Sequence, residues 1–347
     1  MDPSDSFSLH FTNGTRLAGD VADGFLILNV PLLQLEGIAE VHVNLRGQVI
    51  TKIGSHEEVL YPFHDTLGIW KKSSLSEEKL RGEHVIKEAF SFKLPYAAVA
   101  SGEYGKENKG CSWPARMYCY IEAVAVHSDT SKPDIKTDRL FKYLNGDTKG
   151  AELSQSLSNG WTRDWQLSAA SKRLRKLFSW KVTREATVTL SLPELEGFPI
   201  YTCIPFKLNI STLVKGKTSK PSTESSKLLG VDFTIVRDVH IKAHSKELTI
   251  EKELVAKVGS FGSLVEDSDG ALLADRTPWM PIYDDEKQPT GTWKQEYDIS
   301  SEFTLTCPPS VQYQTLKAEY YAQVKITSRN GAPQYILVPL EILSNRY

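Results

Sequence analysis

The 347-residue chain lacks the marks of most specialised protein classes. Its formal net charge is only −2, from 41 Lys and Arg against 43 Asp and Glu. Domains built to hold nucleic acid are strongly basic, so that class is not expected here. Cysteine is scarce: Cys111, Cys119, Cys203 and Cys307 form no C-x-x-C pair. Neither a disulfide framework nor a zinc site is expected, and the four read as buried, reduced thiols of an intracellular chain. No apolar run reaches the roughly 18–20 residues that a membrane-spanning helix needs. The opening Met-Asp-Pro-Ser-Asp-Ser has neither the basic nor the apolar segment of a signal peptide. A cytoplasmic location is therefore expected, with the sequons at Asn13 and Asn209 unused. Gly259-Ser260-Phe261-Gly262 lacks the Gly-Lys-Ser/Thr that grips a phosphate, which excludes a P-loop.

What the chain does contain is alternation. Apolar residues make up 40% and charged residues 24%, an ordinary globular balance, and the length suggests about two domains. Ala39, Val41, Val43 and Leu45 alternate with Glu40, His42, Asn44 and Arg46. Met117 to Ala125 repeats the pattern, as do Val231 to Ala243 and Ala322 to Ile326. A two-residue period places one face in a core and the other in water, so each run reads as a strand. Arg329-Asn330-Gly331 marks a hairpin, and Pro339 in the last run argues for a strand on a sheet edge. Phe90-Ser91-Phe92-Lys93-Leu94-Pro95, a Gly-rich loop and a Tyr-rich strand recur in kind as Phe303 to Pro309 followed by Tyr320 to Ile326. This order reads as duplication of a sandwich.

The alternation fades from His127 to Ser179. There the spacing of Leu167, Leu174, Leu177 and Phe178 predicts a helix, flanked by the basic cluster Lys172, Arg173, Arg175 and Lys176. Residues 7–150 and 179–347 are accordingly expected to be two β domains, with 151–178 a linker carrying a short basic helix. Ser74-Leu75-Ser76-Glu77 has capping-box spacing for another helix, to Leu80. The Lys215–Lys227 tract is polar, low-complexity and rich in phosphorylatable hydroxyls, and Gly102–Pro114 and Asp267–Gly291 read as loops.

Residues capable of chemistry are few. His240 and His244 share a strand face without a third ligand, so a solvated face is the better reading than a metal site. His56, Glu57, Glu58, His64 and Asp65 read as a polar loop, since nothing places a nucleophile beside them. Trp161 and Trp165 are expected to staple the linker helix; a sugar-stacking platform is the rival. Arg237 shares the apolar face with Ile235 and Val239, where an unpaired charge costs several kcal/mol, so a structural ion pair or domain-interface contact is expected. Lys172, Arg173, Arg175 and Lys176 form the candidate patch for an anionic membrane or phosphate, each cation contributing about 1 kcal/mol near a charged leaflet.

Taken in order, Gly19, Ile38 to Gly47, Leu80-Arg81-Gly82-Glu83-His84, Phe90 to Pro95, Tyr118 to Val126, Leu190-Ser191-Leu192-Pro193, Phe198-Pro199, Ile204-Pro205-Phe206 and Leu337 to Ile342 resemble the arrestin superfamily, especially the fungal arrestin-like (α-arrestin) proteins. The resemblance spans nearly the whole chain. It implies an all-β fold of two tandem immunoglobulin-like sandwiches, without catalytic residues, metal or cofactor. It also implies an adaptor that binds cytoplasmic segments of membrane proteins and links them to endocytosis, ubiquitin-dependent sorting or a coat, at the plasma membrane or endosomes. The Pro-Pro-x-Tyr motif that docks a HECT-type ubiquitin ligase in that family is absent from these residues, as are the paired lysines of receptor-type arrestins, where Ser8-Leu9-His10-Phe11 stands. A retromer-type coat subunit is the nearer alternative. A carbohydrate-binding or hydrolytic double sandwich is the more distant one.

Overall fold

A computed structural model describes residues 6–74, 85–96, 99–105, 113–146, 148–174, 183–216, 220–221, 229–262, 275–283, 289–328 and 331–344. The protein is mostly β, with two α-helices among the described residues. The earlier part of the chain forms two sheets. One has three antiparallel strands in the order β1 (Phe7–Phe11), β3 (Val21–Asn29), β6 (Val85–Lys93). The other runs β2 (Thr15–Leu17), β9 (Ile135–Leu144), β8 (Ala115–His127), β4 (Ile38–Ile53), β5 (His56–Lys71), with β7 (Gly102–Tyr104) also paired to β8. Side chains from both sheets meet in one buried cluster, which includes Leu26, Leu28, Phe90 and Phe92 from the first and Val41, Val43, Ile121 and Phe141 from the second.

The later part repeats the scheme. β10 (Trp165–Leu174), β11 (Thr183–Pro193), β13 (Cys203–Lys215), β18 (Pro289–Thr304) and β16 (Asp275–Arg276) form one sheet, and β17 (Met280–Tyr283) joins β18. β15 (Lys246–Gly262), β14 (Leu229–Ala243), β20 (Leu316–Ser328) and β19 (Val311–Tyr313) form another, with β21 (Gly331–Leu340) on the remaining length of β20. β12 (Phe198–Pro199) and β22 (Ile342–Leu343) pair in parallel. Phe206, Phe233 and Phe303 pack edge to face or tilted at the centre of the second cluster, with centroids 4.8–6.2 Å apart. A fully buried aromatic of this kind contributes about 1.5–3 kcal/mol.

The two clusters are not sealed from one another. Ala100, Tyr104, Ala115 and Leu144, all from the earlier strands and loops, lie in the second cluster. Val311 and Tyr313 from the later part pack against the first.

Several sequence expectations fail, for local reasons. The helix expected from Leu167 to Phe178 is instead strand β10 over Trp165–Leu174; residues 175–178, with Arg175 and Lys176, lie outside the described residues. Pairing with β11 overrides the helical spacing, and Leu167 is 69% exposed rather than turned inward. The helix of this region comes earlier, as α2 (Thr148–Ser158). His56, Glu57, Glu58, His64 and Asp65 belong to β5, not to a loop, because β4 offers them a ladder along its whole length. An unforeseen helix, α1 (Val30–Glu36), has a side-chain cap from Asn29 to the N–H of Leu32 and ends at Gly37 in the left-handed region, φ 78°. The Asp267–Gly291 tract contributes β16, β17 and the start of β18. Cys119 and Cys307 are buried but Cys203 is exposed on β13, so only part of the expected thiol burial holds; Cys111 lies outside the described residues. So do residues 75–84, where the second helix was expected, and most of Lys215–Lys227.

Candidate functional site

Two places combine unusual polarity with access: a buried cation where the earlier and later strands meet, and the open edge of β1.

Arg237 lies on β14, 6% exposed, between ladder irregularities at Ile235/Val236 and Arg237/Val239. Across from it, Lys252 adopts φ 51° and gives its N–H to Asp238 Oδ1 at 2.6 Å. That bulge re-aims β15 so that Glu253 sits in register with Arg237. Arg237 Nε donates to Glu253 Oε2 at 2.7 Å, and both side chains are nearly dry, at 7% and 5%. Nη1 donates to the carbonyl of Glu103 at 3.1 Å, and the guanidinium lies 5.4 Å from the centroid of the Tyr104 ring. Burial disfavours the guanidinium's charge, but its hydrogen bond to Glu253 leads the contributions that hold its pKa above the usual value.

The surroundings are uniformly reluctant to ionise. Burial raises the Tyr104 and Tyr320 phenols well above their ordinary range and pushes the Cys307 thiol up to about 11. The Tyr104 hydroxyl is buried without a hydrogen-bond partner among the described residues, whereas the Tyr320 hydroxyl interacts with the Arg237 guanidinium. Close backbone approach builds the junction: a Cβ on Gly102 would stand 2.6 Å from the Pro308 ring. A cleft of about 380 Å³ opens beside it, lined by Glu103, Trp113, Arg237, Glu253, Cys307 and Pro308 among others. A single guanidinium whose charge is already met by a carboxylate can hold two parts of a molecule in register.

Among the described residues β1 pairs only with β3. The N–H of Asn29 bonds the carbonyl of Ser6 at 2.8 Å, which sets the alternation of the ladder. Ser8 and His10 therefore turn their backbone groups toward β3, while Phe7, Leu9 and Phe11 turn N–H and C=O outward. Beside that edge is a cleft of about 670 Å³, lined by residues 7–12 and by Asp23, Gly24, Phe25, Thr137 and Arg139. On the outer face His10 stacks on Phe25 at 4.7 Å, and Lys87 Nζ lies 3.8 Å from the same ring.

The remaining candidates disperse. Lys172 and Arg173 are on strand β10 rather than on a helix, and Arg175 and Lys176, expected beside them, lie outside the described residues. His240 contacts Thr249 and Glu319, whereas His244, at φ 54° just beyond β14, turns to Glu57 and Glu58 on β5. The two do not face a common point, and no group of three His, Cys, Asp or Glu converges among the described residues. Trp161 donates to the carbonyl of Asp164 and Trp165 lies under Lys207 at 4.4 Å, so neither staples a helix. Glu103, Tyr104, Glu253 and the β1 edge escaped sequence reading. Only Arg237, a cation in an apolar register, signalled the junction. No protein-family model matches the chain, and no curated protein matches its sequence.

Proposed function

We propose that the chain is a non-enzymatic, arrestin-like adaptor of two tandem β-sandwiches, which takes up an extended cytoplasmic segment of a membrane protein by strand addition along β1. The observation that carries this reading is the outward-facing N–H and C=O groups of Phe7, Leu9 and Phe11 beside a cleft long enough for several residues. Such an edge supplies sequence-tolerant main-chain bonds, while the flanking cleft selects alternate side chains. Arg139 and Asp23 both line the cleft and give it both charges, suited to a mixed polar peptide. The Arg237–Glu253 junction supports the reading as a frame that keeps the two sandwiches in register. The resemblance noted in the sequence supports the choice of partner, and the absence of a Pro-Pro-x-Tyr motif in these residues leaves any ubiquitin ligase to be recruited by other means.

The test is an array of peptides from cytoplasmic segments of membrane proteins, followed by amide hydrogen exchange on the hits. Binding should slow exchange at Phe7, Leu9 and Phe11 and leave β13 unchanged. Hits that leave β1 exchange untouched would overturn strand addition there. Retention on a glycan array, with no peptide bound, would replace the adaptor with a carbohydrate-binding module.

A further inference from the structure

Strand β15 pairs with β14, which is its only ladder partner among the described residues. The two ends of that ladder are out of step. Near the hairpin turn Val239 stands opposite Ile250, whereas at the far end Val231 stands opposite Phe261. Eight positions of β14 are thus matched by eleven of β15, and three register shifts absorb the difference.

The sequence of β15 does not call for these breaks. Leu248, Ile250, Leu254, Ala256 and Val258 alternate with Thr249, Glu251, Glu253 and Lys257, interrupted on the apolar side by Lys252 and on the polar side by Val255. Such a period suits an unbroken, half-buried strand. Carried on without a shift, the register at the turn would set Leu254 opposite Ile235, Ala256 opposite Phe233 and Val258 opposite Val231, three residues of the core. Leu254, which is 48% exposed, would turn inward, and Lys257 would come opposite Asp232. One pairing opposes this register: Lys252 would meet Arg237, a like charge in a dry place. The observed ladder avoids that clash, since Lys252 takes φ 51° and Glu253 meets Arg237 at 2.7 Å. It also keeps Phe261 on Tyr297, ring centroids 5.1 Å apart, and Ser260 Oγ on Asp232 Oδ1 at 2.9 Å. Against these contacts stand a left-handed lysine and an exposed leucine.

We propose that β15 is a two-register strand, latched in the bulged register by the Arg237–Glu253 pair, and that opening the latch lets it straighten and slide along β14. The slide leaves the turn in place and moves the far end by three residue positions, about 10 Å. It withdraws Phe261 from Tyr297 at that end and Glu253 from Arg237 nearer the turn. Arg237 also holds the carbonyl of Glu103, so the slide couples the junction with the earlier strands to the margin of the later core. Two packings of one sequence act as a switch when a single contact separates them, and fixing a register is the best-founded use of a buried ion pair.

Disulfide trapping in the full chain reads the register directly, in a Cys203→Ser background that removes the exposed native thiol. Asp232→Cys with Ser260→Cys reports the bulged register, and Asp232→Cys with Lys257→Cys the straight one, because directly opposed residues lie about 4.5–5.5 Å apart, within disulfide range. In the bulged register Lys257 stands opposite Thr234, a diagonal neighbour of Asp232 at roughly 7–8 Å and beyond that range. The first pair should cross-link quickly in the native sequence and the second slowly. Glu253→Gln weakens the latch and should speed the second pair at least about tenfold. Lys252→Gly relieves the left-handed backbone of the bulge and should slow it. Moving the carboxylate by one residue, with Lys252→Glu and Glu253→Gln together, should make the second pair the faster of the two. No trapping through residue 257 in any variant, or trapping that Glu253→Gln fails to accelerate, would overturn the proposal, and the single change decides it if the double change does not fold.

Discussion

The two buried clusters are built from similar strands but depend differently on the rest of the chain. The first draws its buried members from the earlier strands, loops and α1; among the described residues of the later part, Val311 and Tyr313 pack at its margin. The second takes Ala100, Tyr104, Ala115 and Leu144 from the earlier part into its interior, and it has the dry Arg237–Glu253 pair beside them. The first cluster's nearest equivalent, Arg46–Glu122, is wetter, at 24% and 11%, and is shared with Asn44. The difference teaches that the later sheets owe part of their stability to the junction, whereas the earlier sheets are nearly self-sufficient.

Removing the carboxylate from the dry pair should have the largest effect. Glu253→Ala strands a buried guanidinium and should cost about 3–5 kcal/mol in urea unfolding. Glu122→Ala should cost clearly less, since Arg46 is partly hydrated; equal losses would erase the contrast between the clusters. Gly102→Ala drives a Cβ into Pro308 and should cost about 1–3 kcal/mol, with no comparable loss at an open position such as Gly68. Tyr104→Phe should sharpen the point from the other side. It removes a buried hydroxyl without a partner among the described residues, so stability should rise, by less than about 1 kcal/mol.

Alkaline titration reaches both clusters at once. Burial holds the Cys119 and Cys307 thiols protonated to about 12 and about 11, against 9.0 for the solvated group. Above pH 9 the unfolded chain releases those protons while the folded chain keeps them, so stability is full below pH 9 and falls as pH rises through 11 and 12. Denaturation midpoints that stay flat from pH 8 to 11 would contradict that burial. Thiol reagents at pH 8 should label Cys203 at once and Cys119 and Cys307 only after unfolding.

Much of the strand content was legible, because a two-residue period survives wherever one face is buried and the other wet: Val41, Val43 and Leu45, or Phe233 and Ile235, could hardly be read otherwise. β10 was not legible. Its leucines happen to fall at helical spacing, and an edge strand buries too little to show a period of its own. Arg237 stood out as a charge in an apolar register, but Glu253 did not, since its inward aim depends on the bulge at Lys252. Tyr104 was hidden in a Gly-rich loop because its burial is provided by strands more than a hundred residues further on.

The amino-acid order alone therefore determined that this chain forms sheets, where most of the buried faces lie, and that one arginine needs a partner, since these follow from local period and the cost of burying charge. Only the tertiary structure decided which carboxylate answers that arginine, which edges stay open and how the two clusters share residues. Those outcomes depend on pairing between distant strands, and no neighbour in sequence carries that information.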